Sequence, residues 1–215
     1  MIKRISALAL ALAMSLTLVA CGGGSSSSTT TPSTPSTNTP AASAPAATGG
    51  ETKDLTEAFA ESPILVTSGG QSADYQMIAT VMGKVGMDYT VNNLATSADL
   101  GAAKTLIVVV GGSSKGLGAA GIDADQELVR VGELIDGAKA AGLSVIAMHT
   151  GGEARRGDLS DKFITPIFEK ADYAIVVTAG DADGLMAGVC AANGIPMSGI
   201  KSISEVTTVL PAAFK

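Results

Sequence analysis

Residues 105–125 read TLIVVVGGSSKGLGAAGIDAD, and the rest of the chain can be placed around this stretch. Residues 106–110 form an unbroken apolar run, which is typical of a strand covered on both faces in a parallel α/β sheet. Five glycines follow within eleven residues, together with Ser113, Ser114 and Lys115, before a helical pattern begins. We therefore predict a strand, a glycine-rich loop and a helix. Backbone N–H groups and a helix N-terminus in such a loop favour a bound anion.

Apolar runs of strand length alternate with helical patterns on both sides of this stretch. The predicted strands are 63–66, 88–91 (nearer an edge), 106–110, 145–148, 173–177 and 196–200. The predicted helices are 72–85, 97–103 (a short helix or turn), 123–141, 160–170, 185–192 and 202–210. Such strict alternation predicts βαβ units. We expect an α/β fold, a three-layer sandwich with a mostly parallel five- or six-stranded sheet, flavodoxin-like or Rossmann-like.

The first twenty residues have the pattern of an export signal. Lys3 and Arg4 precede the sixteen-residue apolar run 5–20, and Leu-Val-Ala-Cys at 18–21 matches the lipobox of bacterial lipoproteins. The alternative is a transmembrane anchor, but this run is short for a span of about 20 residues, and small residues before a cysteine fit cleavage better. We expect a signal peptide over 1–20 and a lipidated Cys21. The protein would then be a lipoprotein of the cell membrane or outer membrane, on its extracytoplasmic (periplasmic or cell-surface) face.

The segment after this cysteine has the composition of a tether. Residues 22–50 contain no charge and almost only Gly, Ser, Thr, Pro, Ala and Asn, so they bury too little apolar surface to fold. We assign 21–52 as the lipidated cysteine with a disordered linker, and 53–215 as a single α/β domain. Cys190 lies in an apolar helical pattern, where a buried, unreactive thiol is expected.

The charge of the chain narrows the class of ligand. It has 14 basic and 20 acidic residues, and loss of Lys3 and Arg4 with the signal leaves a net charge of −8. Such a domain is not expected to bind nucleic acid or an anionic membrane surface. Several basic and hydroxyl side chains nevertheless lie in loops that leave the predicted strands at their carboxyl ends, where α/β sheets bind ligands. The candidate ligand-binding residues are Ser68, Gln71, Ser72, Ser113, Ser114, Lys115, His149, Arg155 and Arg156.

Each charged candidate also has a structural interpretation. Arginine recognises carboxylate and phosphate bidentately, but the two arginines could instead form ion pairs with nearby acids and hold their loop in place. Those acids are Glu153, Asp158 and Asp161. His149, the single histidine, could be a half-buried imidazole with satisfied hydrogen bonds.

Known cofactor motifs fit the chain poorly. Residues 116–121 spell G-x-G-x-x-G, but their strand is not the first of the fold and the next strand ends in His149, where a ribose-binding acid is expected. Residues 67–74 look like the phosphate loop of flavodoxins. A flavin ring usually needs aromatic walls, however, and the chain has no Trp and only three Tyr. A lone histidine argues against zinc. Residues 181–184 lack the glutamate that completes a calcium loop and are expected to cap a helix. We predict no cofactor and no metal.

Three segments together resemble a bacterial family known only as a domain of unknown function. They are SGGQSAD at 68–74, GGSSKGLGAAGID at 111–123 and HTGGEARRG at 149–157. The resemblance covers about residues 63–214 and implies an exported α/β domain. It implies no established activity, so it assigns no functional residue.

These observations favour a binding protein over an enzyme. We expect the domain to bind a small carboxylate or phosphate for a transporter or sensor, and to contact the membrane through its lipid anchor only. One alternative is an extracytoplasmic hydrolase in which a loop serine acts with His149. A second is a cell-envelope interaction module without a small ligand.

Overall fold

The computed structural model of the protein describes residues 53–215, so the predicted signal peptide, Cys21 and the whole predicted linker lie outside the described residues. The strands are β1 (Ile64–Gly69), β2 (Tyr89–Val91), β3 (Thr105–Val110), β4 (Ser144–His149), β5 (Tyr173–Val177) and β6 (Met197–Ile200). The helices are α1 (Asp74–Lys84), α2 (Ser114–Ala120), α3 (Ala124–Ala140), α4 (Asp158–Phe168), α5 (Leu185–Asn193) and α6 (Val206–Val209). Short 3₁₀ turns occupy Ser97–Asp99, Glu153–Arg155, Thr178–Gly180, Ile203–Glu205 and Pro211–Ala213. Within the described range, no helix is long and apolar enough to cross a membrane.

The six strands form one sheet in the order β2-β1-β3-β4-β5-β6, and every pairing is parallel. The chain moves from β1 outward to β2 and then returns to the other side of β1 with β3. Adjacent loops therefore diverge between β1 and β3, which is the switch point of a flavodoxin-like order. The predicted α/β class and parallel sheet are confirmed, and β2 is an edge strand as expected.

Two apolar layers cover the sheet because its strands are buried on both faces. One layer packs α3, α4 and α5 against the strands, with Val131, Leu134 and Phe163 fully or almost fully buried. The other packs α1 and α6 on the opposite face, with Ile78 and Val206 fully buried. This is the three-layer sandwich that the unbroken apolar strands predict.

The glycine-rich segment differs from its prediction as a loop. Residues Ser114–Ala120 form α2, whose N-cap is Ser113 and whose C-terminal Gly121 has the left-handed φ of 70°. The Ser113 side chain accepts a 3.0 Å hydrogen bond from Gly116 N. The helix propensities of Gly116 and Gly118 disfavour a helix here, but a favourable cap at each end stabilises it. The C-terminal helix is also shorter than the predicted 202–210: only α6 is α-helical, and 3₁₀ turns flank it on both sides.

Candidate functional site

A cleft of about 530 Å³ opens at the switch point, between the loops that follow β1, β2 and β3. Its volume falls within the usual range of small-molecule sites, about 300–1,000 Å³. Polar lining comes from Gln71, Gln76, Asn93, Ser113 and Lys115, and apolar lining includes Tyr75 and Leu94. Three of the nine candidate binding residues, Gln71, Ser113 and Lys115, therefore meet here.

The floor of this cleft is a short connection between two loops. Gln71 forms an isolated antiparallel bridge with Gly112, and Ser113 N donates to Gly70 O at 2.9 Å. Gln71 has a left-handed φ of 61° and is 5% exposed. Its amide donates to Asn93 O at 2.8 Å and accepts from Asn93 Nδ2 at 2.9 Å. These bonds join the loop after β1 to the loop after β2.

A buried ion pair on α3 contacts the loops after β1 and β2, which form one side of the cleft. Glu127 is fully buried, and its Oε2 accepts from Arg130 Nε at 2.7 Å. Arg130 also donates to the backbone oxygens of Ala95 (2.7 Å) and Ser68 (2.6 Å). Glu127 Oε1 in turn accepts from Gly70 N and from the Gln71 amide. The pair thus links α3 to both loops that form one side of the cleft.

The opposite wall is α2, which places Lys115 at the cleft. Lys115 is exposed and is the one charged side chain among the described residues that line the cleft. Across residues 53–215 it forms no ion pair. An ammonium group without an acidic partner is available to a bound anion.

The two arginines lie at a separate recess of about 240 Å³, which Gly112 and Ser160 also line. Arg155 Nε donates to Asp74 Oδ1 at 3.2 Å. The Asp74 side chain is 6% exposed, and its Oδ2 also lies 3.2 Å from Arg155 Nε but accepts no hydrogen bond of its own from a described residue. Arg155 is 40% exposed, so its terminal nitrogens remain accessible.

Arg156 is a structural brace. Its guanidinium contacts Asp161 (2.8 Å) and Asp183 (2.8 Å) and donates to Gly180 O at 2.6 Å. Hydrogen bonding to Asp183 and Asp161 raises the pKa of Arg156. The bond between Arg156 and Asp183 also lowers the pKa of Asp183 to about 2. The ion pair expected with Asp161 is therefore present, and Arg156 has few donors left for a ligand.

His149 is fully buried at the end of β4. Its Nδ1 lies 3.1 Å from Val110 O and its Nε2 lies 3.3 Å from Gly152 O. Both ring nitrogens face backbone carbonyls, so neither is directed at a serine hydroxyl. This geometry gives no support to a serine–histidine hydrolase.

The remaining candidate serines lie outside the cleft lining. Ser68 and Ser72 are fully buried, and Ser68 Oγ donates to Ser72 O at 3.4 Å. Ser114 is exposed on α2 and lines neither recess. The nine predicted residues thus lie at or below the carboxyl-end edge of the sheet, but, apart from Ser114, they are divided between two recesses and the core beneath them.

Over residues 61–214 the chain matches the model of the family described as "Domain of unknown function (DUF6305)". The chain belongs to this family. No curated protein matches the chain. Membership of DUF6305 agrees with the resemblance seen in the glycine motifs.

Three solved structures are similar to parts of this DUF6305 domain. A protein from Thermoplasma acidophilum described as a GMP synthase subunit is 18% identical, with a TM-score of 0.31 over 53% of this chain and 47% of that one. A response regulator receiver domain protein from Clostridium thermocellum is 15% identical, with a TM-score of 0.30 over 61% of this chain and 94% of that one. The structure of TesA is 16% identical, with a TM-score of 0.28 over 57% and 74%. The chain spans about half the length of the first of these proteins.

Sequence reasoning missed Asn93, Glu127 and Arg130 in this DUF6305 domain. Asn93 lies just after the predicted edge strand, so the rule that ligands bind at strand carboxyl ends could have included it. Glu127 lies one helical turn before Val131 on the buried face of α3. A charged residue on an otherwise apolar helical stripe indicates a buried partner. The sequence alone could therefore have predicted a buried partner for Glu127.

Two further expectations concern side chains outside the cleft. Cys190 is fully buried, as expected, and burial raises the pKa of its thiol to about 12, which disfavours the reactive thiolate. Asp181 accepts from Met186 N (2.7 Å) and Ala187 N (2.9 Å) at the start of α5. The acidic motif at 181–184 is thus a helix cap, as expected.

Proposed function

We propose that this protein is a membrane-tethered extracytoplasmic binding protein for a small anionic solute, a carboxylate or a phosphate. The solute would bind in the cleft between the loops that follow β1, β2 and β3. The protein would present it to a transporter or sensor. Lipidation at Cys21 and export by the 1–20 signal are part of the proposal.

One observation carries the proposal. The cleft at the β1/β3 switch point contains one charged side chain, Lys115, and that lysine has no acidic partner among residues 53–215. The other polar groups of the lining are neutral amides and hydroxyls, which orient a ligand without repelling it. A recess beside Tyr173 has about 270 Å³, half the volume of the cleft, and no basic side chain.

The net negative charge of the domain increases the importance of Lys115 for binding an anion. An excess of acids repels anions from most of the surface, so binding depends on a local cation. A hydrogen bond to a charged group contributes about 1.5–3 kcal/mol, which is roughly a tenfold to hundredfold gain in affinity. Lys115 is therefore expected to contribute a large part of the affinity for a small solute.

The tether suits a receptor that hands its ligand to a membrane partner. If the 29 residues 22–50 form the tether that their composition predicts, their end-to-end distance would be about 30 Å on the scale for Gly- and Ser-rich linkers. The domain would thus remain within reach of a transporter or sensor in the same membrane.

A thermal-shift screen of the purified full-length protein tests the proposal. The panel contains small carboxylates, inorganic phosphate and phosphate esters, each beside an uncharged analogue of similar shape. A ligand at 100 times its Kd stabilises the folded state by about 2.7 kcal/mol, which raises the Tm of a domain of this size by roughly 5–10 °C. Stabilisation by anions and not by their analogues supports the proposal; stabilisation by uncharged analogues alone, or by no compound, contradicts it.

A further inference from the structure

The buried carboxylate of Glu127 fixes the orientation of the Gln71 side-chain amide. Four N–H donors surround this carboxylate: Gly70 N (2.9 Å), Gln71 Nε2 (3.0 Å), and Nη2 (2.8 Å) and Nε (2.7 Å) of Arg130. The donors of Gly70 and Arg130 alone show that this carboxylate acts as an acceptor on both oxygens. The group of Gln71 that faces Glu127 must therefore be the NH₂ group, and the oxygen must point away.

The orientation of Gln71 then fixes that of Asn93. Both hydrogens of Gln71 Nε2 are used, because it also donates to the backbone oxygen of Asn93 at 2.8 Å. Gln71 Oε1 accepts, so the group of Asn93 at 2.9 Å from it is Nδ2. A chain of three side chains thus runs from a buried ion pair to the cleft, and each amide has one allowed orientation.

This relay leaves a defined hydrogen-bonding pattern on the wall of the cleft. Asn93 lines the cleft and is partly exposed. Within residues 53–215 its Oδ1 accepts no hydrogen bond, and it is not among the buried polar atoms without a partner. Asn93, a residue of the cleft lining, therefore has an acceptor oxygen and one N–H that no described residue uses.

Strain at Gln71 accompanies the relay. Among the described residues, Gln71 is the one non-glycine with a positive φ. A glycine would adopt this conformation without strain, but it would lack the amide that connects Glu127 to Asn93. Backbone strain of this kind persists where neighbouring contacts overdetermine the conformation, and it concentrates at functional positions.

We propose that the ligand is a small anion that also carries an O–H donor, such as a hydroxycarboxylate. Its charge meets Lys115 and its donor meets Asn93 Oδ1. An anion without such a donor would leave that oxygen desolvated and unpaired, which a binding site penalises strongly. This inference rests on the proposed function and specifies the ligand class of the same cleft.

Matched ligand pairs test the inference on the unaltered protein. Isothermal titration of the full-length protein compares malate with succinate, lactate with propionate, and 3-hydroxybutyrate with butyrate. The donor-bearing member of at least one pair is expected to bind about ten- to a hundredfold more tightly. Equal affinity within every pair that binds overturns the inference and leaves anion binding intact. Binding of neither member in any pair overturns the inference and counts against the proposed function.

Substitution of Asn93 locates the preference. Asn93→Leu is expected to abolish the difference between pair members and to retain the weaker binding that Lys115 supports. Asn193→Leu is the matched control, since Asn193 is exposed on α5 and bonds only to Val189 O, and it should leave the preference unchanged. A preference that survives in Asn93→Leu overturns the assignment to Asn93. If Asn93→Leu does not fold, the comparison of pairs on the unaltered protein still decides.

Discussion

Gly116 on α2 lies directly against the backbone oxygen of Gln71: a Cβ at residue 116 would be 2.0 Å from that oxygen. Both residues line the cleft. Because no side chain fits between them, glycine at 116 sets how closely α2 approaches the loop after β1. The width of the cleft thus depends on a glycine that contacts backbone.

The two glycines inside α2 should respond oppositely to alanine. Gly116→Ala is expected to lower the stability by about 1–3 kcal/mol, as overpacking does, and to weaken anion binding because Gln71 must move. At Gly118 a Cβ meets nothing within 4 Å, so Gly118→Ala should stabilise the protein by up to about 1 kcal/mol. Urea denaturation and titration calorimetry on both variants provide the measurement. Similar effects at the two positions would contradict this packing argument.

The ion pair between Arg130 and Glu127 should matter far more than an exposed pair. Arg130→Met leaves a fully buried carboxylate without its counter-charge, which typically costs about 3–5 kcal/mol. Lys162→Met is the control, because Lys162 and Asp125 are 40% and 82% exposed, and such pairs contribute about 0–1 kcal/mol. Urea denaturation compares the two. A loss at Arg130 no larger than that at Lys162 would show that the buried pair does not support the loops.

The sheet could be predicted from the sequence because its signals are local and strong. Apolar runs such as 106–110 read as buried strands, and the loops after them necessarily gather at one edge of a parallel sheet. Helix α2 was missed since propensity counts Gly116 and Gly118 against a helix. What Gly116 contributes is a contact with Gln71, 45 residues earlier in the chain, and single-sequence periodicity carries no information on such contacts.

The candidate site was predicted less completely, because residue type does not reveal a partner. Arg155 and Arg156 are adjacent, yet one is 40% and the other 15% exposed. The difference arises from Asp183, which reaches Arg156 from beyond β5. His149 likewise reads as a ligand group but is held by two carbonyls. Asn93 was not predicted as a site residue, because its proposed contact with a ligand depends on the side chains of Gln71 and Glu127.

The Asp183–Arg156 pair should make stability depend on pH in the acid range. The pKa of Asp183 is lowered from 3.8 to about 2 in the folded protein, so the folded state favours the ionised form. This contribution is fully present above about pH 5, decreases below that pH, and is lost as the pH falls through 2. The Asp183 side chain is 59% exposed, so the effect should stay below about 1 kcal/mol.

Thermal unfolding of the unaltered protein and of Asp183→Asn between pH 7 and pH 2 measures this contribution. The difference in Tm between the two proteins should be constant from pH 7 to about 5 and should shrink on further acidification. A difference that widens toward pH 2 would contradict the sign of the linkage.

Removal of Cys21 should release the protein from its anchor. Cys21→Ser is expected to eliminate incorporation of a labelled fatty acid and to leave the signal uncleaved or the protein detached from the membrane. Cys190→Ser is the matched control, because Cys190 is buried in the folded domain. Metabolic labelling that persists in Cys21→Ser would refute lipidation at this position.

Lys115 should carry the salt dependence of ligand binding. Lys115→Met is expected to weaken the binding of a small carboxylate or phosphate by roughly ten- to a hundredfold. The loss of affinity with increasing ionic strength should also flatten, since the screened attraction between the lysine and the anion is gone. Lys104→Met provides the control: Lys104 is exposed just before β3, at the opposite edge of the sheet from the cleft, and carries the same charge. Titration calorimetry at low and high salt on both variants measures the effect. If the two variants weaken binding equally, the effect belongs to net charge and not to the cleft.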